Sequence, residues 1–213
     1  MIALNQTGHV FLQSLERARH CRTPFDYWLI EDVLPDVVCD GIAEAQLPLP
    51  VDAIHDGRRE SNNATRIYFT PDNQLMHPQY KEVADAFRHP LVKGAIERTT
   101  GAHLDNGRLR IEFCQDVDGF WLEPHVDISV KLFTMLVYLT DAPELHDAGT
   151  DIYDSSPEHK RVATAPYEWN SGLIFIPGKE TWHGFSKRSI LGVRKSIIIN
   201  YVSPEWRATH ELA

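Results

Sequence analysis

The residue pattern changes after Gly107, and this change constrains the fold more than any other feature of the chain. Beyond it, short β-rich segments are separated by clusters of Gly, Pro, Asp and Asn, with no helical periodicity between them. The predicted strands are 108–114, 120–122, 131–139, 150–153, 161–165, 173–176, 182–185 and 195–202. About eight short strands at this spacing predict an antiparallel sandwich or jelly roll.

Residues 1–106 have a different character, mixed and mainly helical. Their pattern predicts helices around 10–15 and over 36–45, 80–87 and 91–99, and a strand over 66–69. The expected fold class is therefore α+β: mainly β, with a helical N-terminal layer packed against a double-stranded β-helix, the jelly roll of cupin-like proteins. Because no linker divides the two parts, we expect a single domain over 1–213, with 1–106 as support and 107–204 as the jelly-roll core.

Charge and composition exclude several classes of partner. The chain has 21 Lys and Arg against 30 Asp and Glu, a formal net charge of −9, which is the wrong sign for a general binder of nucleic acid or anionic membranes. No stretch reaches the roughly 18 apolar residues of a membrane span. The N-terminus lacks a signal-peptide pattern, and Cys21, Cys39 and Cys114 form no CxxC. We expect a cytoplasmic protein with reduced thiols; the sequence indicates no oligomeric state.

Two of the eleven histidines stand in a pattern that suits a metal site. His125 and Asp127 are two residues apart, so on a strand both side chains point to the same face. His183 lies on a later predicted strand and can supply a third ligand. Two histidines and one carboxylate on one face of a metal leave coordination positions open, as in non-haem Fe(II) oxygenases.

A second pair of polar residues lies on the last predicted strand. Arg194 and Ser196 are also two apart and share a face. A guanidinium with a neighbouring hydroxyl suits a carboxylate, which it holds by charge-assisted hydrogen bonds. An acid that chelates a metal through its keto-acid end could be anchored there by its far end.

With these motifs the chain resembles the Fe(II)/2-oxoglutarate-dependent dioxygenases, in their prolyl-hydroxylase-like branch, over residues 108–202. The motifs that carry the resemblance are Gly119-Phe120-x-x-Glu123-Pro124-His125-x-Asp127, Thr134-x-x-x-Tyr138-Leu139-x-Asp141, Gly149-Thr150, His183 and Arg194-x-Ser196. Of these, HxD alone is weak, whereas HxD with a distal histidine and RxS in a strand-rich half is specific.

The resemblance implies a set of roles for these residues. The implied iron ligands are His125, Asp127 and His183, and the implied 2-oxoglutarate contacts are Arg194 and Ser196 for the distal carboxylate, with Thr134 and Tyr138 as secondary contacts. Fe(II), 2-oxoglutarate and dioxygen would then be the cofactor and cosubstrates. The expected reaction hydroxylates an unactivated C–H bond of a small molecule of amino-acid, sugar or natural-product type, releasing succinate and CO2.

The chain departs from its apparent relatives at three positions. Several relatives have a tyrosine nine positions before the first histidine, where this chain has Asp116. Arg194 stands where collagen-type prolyl hydroxylases have lysine, which argues against a prolyl substrate. Asp127 is a carboxylate where related halogenases have a small residue, which argues against halogenation.

Three basic residues are candidates for substrate binding. If the apolar residues of 108–114 face the helical layer, Arg110 and Glu112 point towards the mouth of the jelly roll, where an unpaired charge is costly. We therefore hypothesise that Arg110 binds a substrate anion, with Arg66 and Lys131 as weaker candidates. An Arg110–Glu112 surface pair remains an equal alternative.

Two other functions stay open. One is a cupin-like metal-dependent hydrolase or isomerase, which would need no anchor of the Arg194-x-Ser196 type. The other is a non-catalytic sensor domain that binds the metal or 2-oxoglutarate without turnover.

Overall fold

The computed structural model describes residues 3–45, 48–49, 55–58 and 66–213. Within them, eleven strands form two antiparallel sheets. The strands are β1 (Arg19–Cys21), β2 (Tyr27–Ile30), β3 (Arg66–Tyr68), β4 (Arg108–Asp116), β5 (Leu122–His125), β6 (Lys131–Tyr138), β7 (Asp151–Tyr153), β8 (Arg161–Thr164), β9 (Gly172–Phe175), β10 (His183–Phe185) and β11 (Arg194–Val202). One sheet has the order β1-β2-β9-β6-β11-β4-β3 and the other β5-β10-β7-β8. All eight strands predicted after Gly107 are present, and their arrangement fits a jelly roll.

The described α-helices all precede residue 101. They are α1 (Gln6–Glu16), α2 (Asp36–Ala43), α3 (Pro71–Met76), α4 (Pro78–Arg88) and α5 (Pro90–Thr100). Local signals set their ends: the Asn5 side chain caps α1, prolines begin the last three, and Gly101 ends α5 in the left-handed conformation at φ 76°. The same part of the chain also adds β1, β2 and β3 to the seven-stranded sheet. None of these helices combines the length and apolar character needed to cross a membrane.

The two faces of the seven-stranded sheet pack into two separate cores. On the outer face, Leu109, Ile111 and Phe113 join a cluster with helix residues such as Phe11 and Phe87, which confirms the predicted orientation of β4. On the inner face, Cys114, Leu136 and Ile198 pack with Leu122 and Phe185 of the four-stranded sheet. Because side chains alternate along each strand, the polar residues of the inner face lie between the sheets.

Strand β11 organises the inner face, since it pairs with β4 on one side and β6 on the other. Arg194 stands opposite Asp116 of β4, and Asn200 stands opposite Arg110. On the other side, Asn200 stands opposite Thr134 of β6. The register therefore places polar side chains towards both ends of the inner face of β11, with the apolar Ile198 between them.

Candidate metal centre and cosubstrate cavity

His125 and His183 lie directly opposite each other on β5 and β10. Their ring centroids are 4.4 Å apart. The Nδ1 atom of His125 lies 2.8 Å from the Glu123 carbonyl oxygen, and Nδ1 of His183 lies 2.9 Å from that of Thr181. Since a carbonyl can only accept, each Nδ1 carries the proton, and Nε2 is the nitrogen with the lone pair that a metal needs.

Asp127 completes the group two residues after His125. One potential ligand atom from each of the three residues lies within 4.8 Å of the others. The carboxylate is held at both oxygens, because Lys131 Nζ donates to Oδ1 at 2.6 Å and Thr134 Oγ1 donates to Oδ2 at 2.8 Å. The geometry predicted from HxD and a distal histidine is present, and it suits a divalent cation.

Electrostatics keep both kinds of ligand in the form that binds metals. Burial alone would raise the pKa of the Asp127 carboxyl, but Lys131, His183 and the Thr134 hydroxyl hold it well below its ordinary value. Burial, together with the neighbouring His125, lowers the pKa of His183 to about 3. At neutral pH the site therefore has an ionised carboxylate beside a neutral, buried imidazole.

A small cavity of about 20 Å³ lies beside this group and extends into the space between the sheets. Asp127, Lys131, Thr134 and His183 line one part of it, and Arg194 lines another. The remaining lining residues are Phe120, Leu122, Leu136, Thr150, Gly184, Phe185 and Ile198. The polar groups therefore converge on an otherwise mainly apolar lining.

Arg194 is the arginine of this cavity, and its guanidinium is fixed by several contacts. Nε donates to the Ala148 carbonyl at 2.6 Å, and Nη1 donates to Asp116 Oδ2 at 2.6 Å. Its carbon centre lies 4.9 Å from the centroid of the Phe185 ring. Burial opposes the charge, but Asp116 together with Tyr167 and Tyr138 outweighs burial and raises the pKa of Arg194. Asp116 is thus a partner of the predicted anchor, a pairing that only the register of β4 and β11 reveals.

Ser196 and Tyr138 lie beside Arg194 with different surroundings. The Ser196 hydroxyl is buried and has no hydrogen-bond partner among the described residues. A buried hydroxyl without a partner is uncommon and costs free energy, so it marks a place where a ligand atom fits. The Tyr138 hydroxyl, by contrast, donates to Thr150 Oγ1 at 2.9 Å and accepts from Thr150 N at 3.1 Å. Thr150 lines the cavity, whereas Tyr138 does not line it and contacts it through these hydrogen bonds to Thr150.

Arg66 and Arg110, predicted to bind substrate, lie in a buried ion-pair cluster instead of the cavity lining. Both donate to Glu112, and Arg110 Nε also donates to Glu211 at 2.6 Å. The side chains of the two arginines are only 5% and 6% exposed. Both alternatives for Arg110 are therefore corrected. Its pair with Glu112 exists but is buried instead of lying at the surface, and the carboxylates of the protein already balance the charge that was expected to bind a substrate anion. Only Lys131 of the three candidates lines the cavity.

A chain of hydrogen bonds joins this cluster to the metal-binding group. Arg110 Nη1 donates to Asn200 Oδ1 at 3.4 Å, and Asn200 Nδ2 donates to Thr134 Oγ1 at 2.9 Å. Thr134 in turn donates to Asp127. The sequence analysis missed Asn200, because its role depends on strands that lie far apart in the chain.

Comparisons with known proteins find the same fold in solved structures. No protein-family model matches the chain, and no curated protein sequence matches it. A prolyl-4-hydroxylase from Pseudomonas putida is similar over 95% of both chains, with a TM-score of 0.57 and 14% identity. A Trichoplax adhaerens prolyl hydroxylase, solved in complex with a hypoxia-inducible-factor peptide fragment, covers 92% of this chain and 89% of its own at TM-score 0.55 and 15% identity.

A third similar structure has a different reaction in its name. The non-haem α-ketoglutarate-dependent epimerase SnoN from nogalamycin biosynthesis covers 92% of this chain and 82% of its own, with a TM-score of 0.53 and 15% identity. The resemblance seen in the sequence is therefore confirmed for the fold, which this chain shares with prolyl hydroxylases and with a 2-oxoglutarate-dependent epimerase. At these identities the likeness concerns the fold, and function has to be argued from the site.

Proposed function

We propose that this protein is an Fe(II)- and 2-oxoglutarate-dependent oxygenase that hydroxylates an unactivated C–H bond of a small molecule, with release of succinate and CO2. The observation that carries the proposal is one cavity with two complementary ends. His125, Asp127 and His183 converge, and two of them, Asp127 and His183, line one end. Arg194 lines the other end, and the unpartnered hydroxyl of Ser196 lies two residues along the same strand. A hydrolase or isomerase of the same fold would have no use for the second end.

The donor set fits iron, and the far end fits a dicarboxylic keto acid. Two imidazole nitrogens and one carboxylate are the ligands of non-haem Fe(II) sites with open positions. The unpartnered Ser196 hydroxyl and the Arg194 guanidinium match a carboxylate, which accepts from both. When bound, the metal with 2-oxoglutarate and dioxygen would supply the oxidant for C–H cleavage.

The protein's own groups would bind, orient and exclude water. Lys131 and Thr134 hold the Asp127 carboxylate in place before the metal arrives. Arg194 would fix the reach of the cosubstrate from the metal, and its contact with Phe185 keeps the guanidinium from swinging away. Phe120, Leu122 and Ile198 give the cavity an apolar wall that limits the access of water.

The direct test adds Fe(II) and then 2-oxoglutarate to metal-free protein without oxygen. We expect a weak visible charge-transfer band that needs both additions and is lost in His125→Ala. The matched control is His103→Ala, because His103 is an exposed histidine remote in sequence from the site. Absence of the band in well-folded wild-type protein would refute the proposal.

Substrate class is tested separately, by succinate formation. A panel of free amino acids, sugars and natural-product intermediates is compared with proline-containing peptides. Stimulation by a small molecule supports the proposal, whereas stimulation by the peptides alone would overturn the small-molecule part of it. The peptide arm is included because a similar structure was solved with a peptide bound.

A further inference from the structure

Asp116 is the carboxylate partner of Arg194, the residue that would bind the distal carboxylate of a cosubstrate. It is the last residue of β4 and stands opposite Arg194, the first residue of β11. Its Oδ2 accepts from Arg194 Nη1 at 2.6 Å, and the two side chains are only 12% and 6% exposed. A buried arginine in the free protein thus already has an anionic partner.

The remaining hydrogen-bonding capacity of Arg194 is small. Nε is directed to the Ala148 carbonyl and Nη1 to Asp116, so among the described residues Nη2 is the guanidinium nitrogen without a hydrogen bond. The rings of Phe185, Tyr167 and Tyr138 lie 4.9, 5.7 and 5.8 Å from the guanidinium carbon. Enclosed in this way, the guanidinium cannot turn to offer a bidentate face without giving up Asp116.

Other charges nearby do not change this balance. Arg188 lies 4.0 Å from the Phe185 ring, but it donates to the buried Asp151 at 2.8 Å. Arg188 and Arg194 are therefore each paired with a carboxylate. An incoming distal carboxylate would meet a neutral Arg194–Asp116 pair, with a like charge beside it, and like charges at close range in a buried site repel strongly.

We propose that Asp116 is a specificity-determining residue of the cosubstrate site: its carboxylate competes for Arg194 with the distal carboxylate of the cosubstrate. The consequence is a lower affinity for 2-oxoglutarate, and a weaker preference for it over a 2-oxo acid without the second carboxylate. This inference rests on the proposed function and concerns the same cavity. Asp116 contacts Arg194, which would bind the distal carboxylate of the cosubstrate. Replacing Asp116 changes the charge only beside that carboxylate, so it changes the preference for 2-oxoglutarate over a 2-oxo acid without one.

The test measures dissociation constants for 2-oxoglutarate and for 2-oxopentanoate, which has a methyl group in place of the distal carboxylate. Both are titrated calorimetrically into Mn(II)-loaded protein without oxygen, so that binding is read without turnover. In Asp116→Asn we expect 2-oxoglutarate to bind at least about tenfold more tightly, and 2-oxopentanoate to change by less than about twofold. Asp116→Ser serves as a second variant in case the amide packs poorly.

The matched control is Asp147→Asn, which removes an exposed carboxylate next to Ala148. We expect it to leave both dissociation constants unchanged. A ratio of the two constants that is the same in wild type and in both Asp116 variants would overturn the inference and leave the proposed function standing. Failure of every variant to bind 2-oxoglutarate would instead overturn the proposed function and the inference with it.

Discussion

The carboxylate of Asp127 shows how much of the site is organised before a metal binds. Both of its oxygens are engaged, by Lys131 and by Thr134, and Asn200 in turn holds Thr134. Four-residue spacing on β6 correctly indicates that Thr134 shares the inner face with Tyr138. The polar atom that Thr134 contacts depends on how the chain folds around it, which the spacing does not show. The sequence therefore predicted a contact between Thr134 and the cosubstrate, where the structure has a hydrogen bond from Thr134 to Asp127.

We therefore expect Thr134→Val to weaken metal binding by about tenfold or more, as loss of an outer partner of a metal ligand commonly does. The substitution keeps the shape of the side chain but removes the hydroxyl that orients Asp127. The test is the Mn(II) affinity of the variant and of wild type, measured by competition with a chelating dye. Thr99→Val makes the same change at an exposed helical position; equal affinities in the two variants would refute the role of Thr134.

The buried imidazole of His183 makes the stability of the metal-free protein depend on pH. Its pKa is about 3 in the folded chain, against about 6.5 for an ordinary histidine. Between these values the unfolded chain binds a proton that the folded chain does not, so stability rises with pH. From pH 7 to pH 5 this group should remove on the order of 2 kcal/mol from the free energy of unfolding.

Urea unfolding of metal-free wild type and His183→Gln at both pH values isolates this contribution. The variant lacks the titrating group, so its loss of stability between pH 7 and pH 5 should be smaller by that amount. An identical loss in both proteins would show that His183 is not kept neutral by the fold.

At the scale of elements, the pairing of β5 with β10 determines whether the two histidines meet. Gly184 follows His183, and a Cβ atom there would lie 2.9 Å from the carbonyl oxygens of Leu122 and Glu123. Only a residue without a side chain lets the strands come this close. The site thus depends on a glycine that binds nothing itself.

Gly184→Ala should push β5 away from β10 and lower the free energy of unfolding by about 1–3 kcal/mol, as overpacking does. Metal affinity should fall with it, although all three candidate ligands are still present. Gly178→Ala is the control, because a Cβ there meets its nearest neighbour at an ordinary 3.7 Å. Chemical denaturation and Mn(II) titration of both variants test this, and wild-type behaviour of Gly184→Ala would contradict it.

At the scale of the whole molecule, a buried cluster of charged side chains joins parts of the chain that lie far apart in the sequence. Arg110 of β4 pairs with Glu112 and Glu211, and its guanidinium lies 4.9 Å from the Tyr68 ring and 5.0 Å from the Trp206 ring. The last residues therefore contribute to the same cluster as β3 and β4. A buried charge left without its partner is strongly destabilising.

We expect Arg110→Met to lower the free energy of unfolding by about 3–5 kcal/mol, because Glu211 loses its buried partner. Cosubstrate affinity of the folded fraction should stay within about twofold of wild type. Exposed Arg98→Met is the control. A stable Arg110→Met protein with impaired substrate KM would restore the substrate-binding role that the sequence first indicated.

The sequence predicted those features of the structure that depend on residues close together in the chain. The eight strands after Gly107 follow from β-rich runs between turn residues, and the grouping of His125, Asp127 and His183 follows from strand alternation plus one motif. Strand β2 was missed because a four-residue apolar run looks alike in helices and strands. Strand β1 was missed because Arg19–Cys21 is short and mainly polar, so it carries no alternating pattern. The pairs of Arg194 with Asp116 and of Arg110 with Glu211 were also missed, since these carboxylates lie 78 and 101 positions away and only the fold brings them near.

The cross-strand position of His125 and His183 has a consequence for motion. An ion bound to both would act as a removable cross-link between two strands that are otherwise held by a few backbone hydrogen bonds. Local opening of β10 would then require the release of the ion, so the amide hydrogens of Gly184 and Phe185 should exchange with deuterium more slowly when metal is present. A bound metal ion would thus slow the local separation of β10 from the edge strand β5.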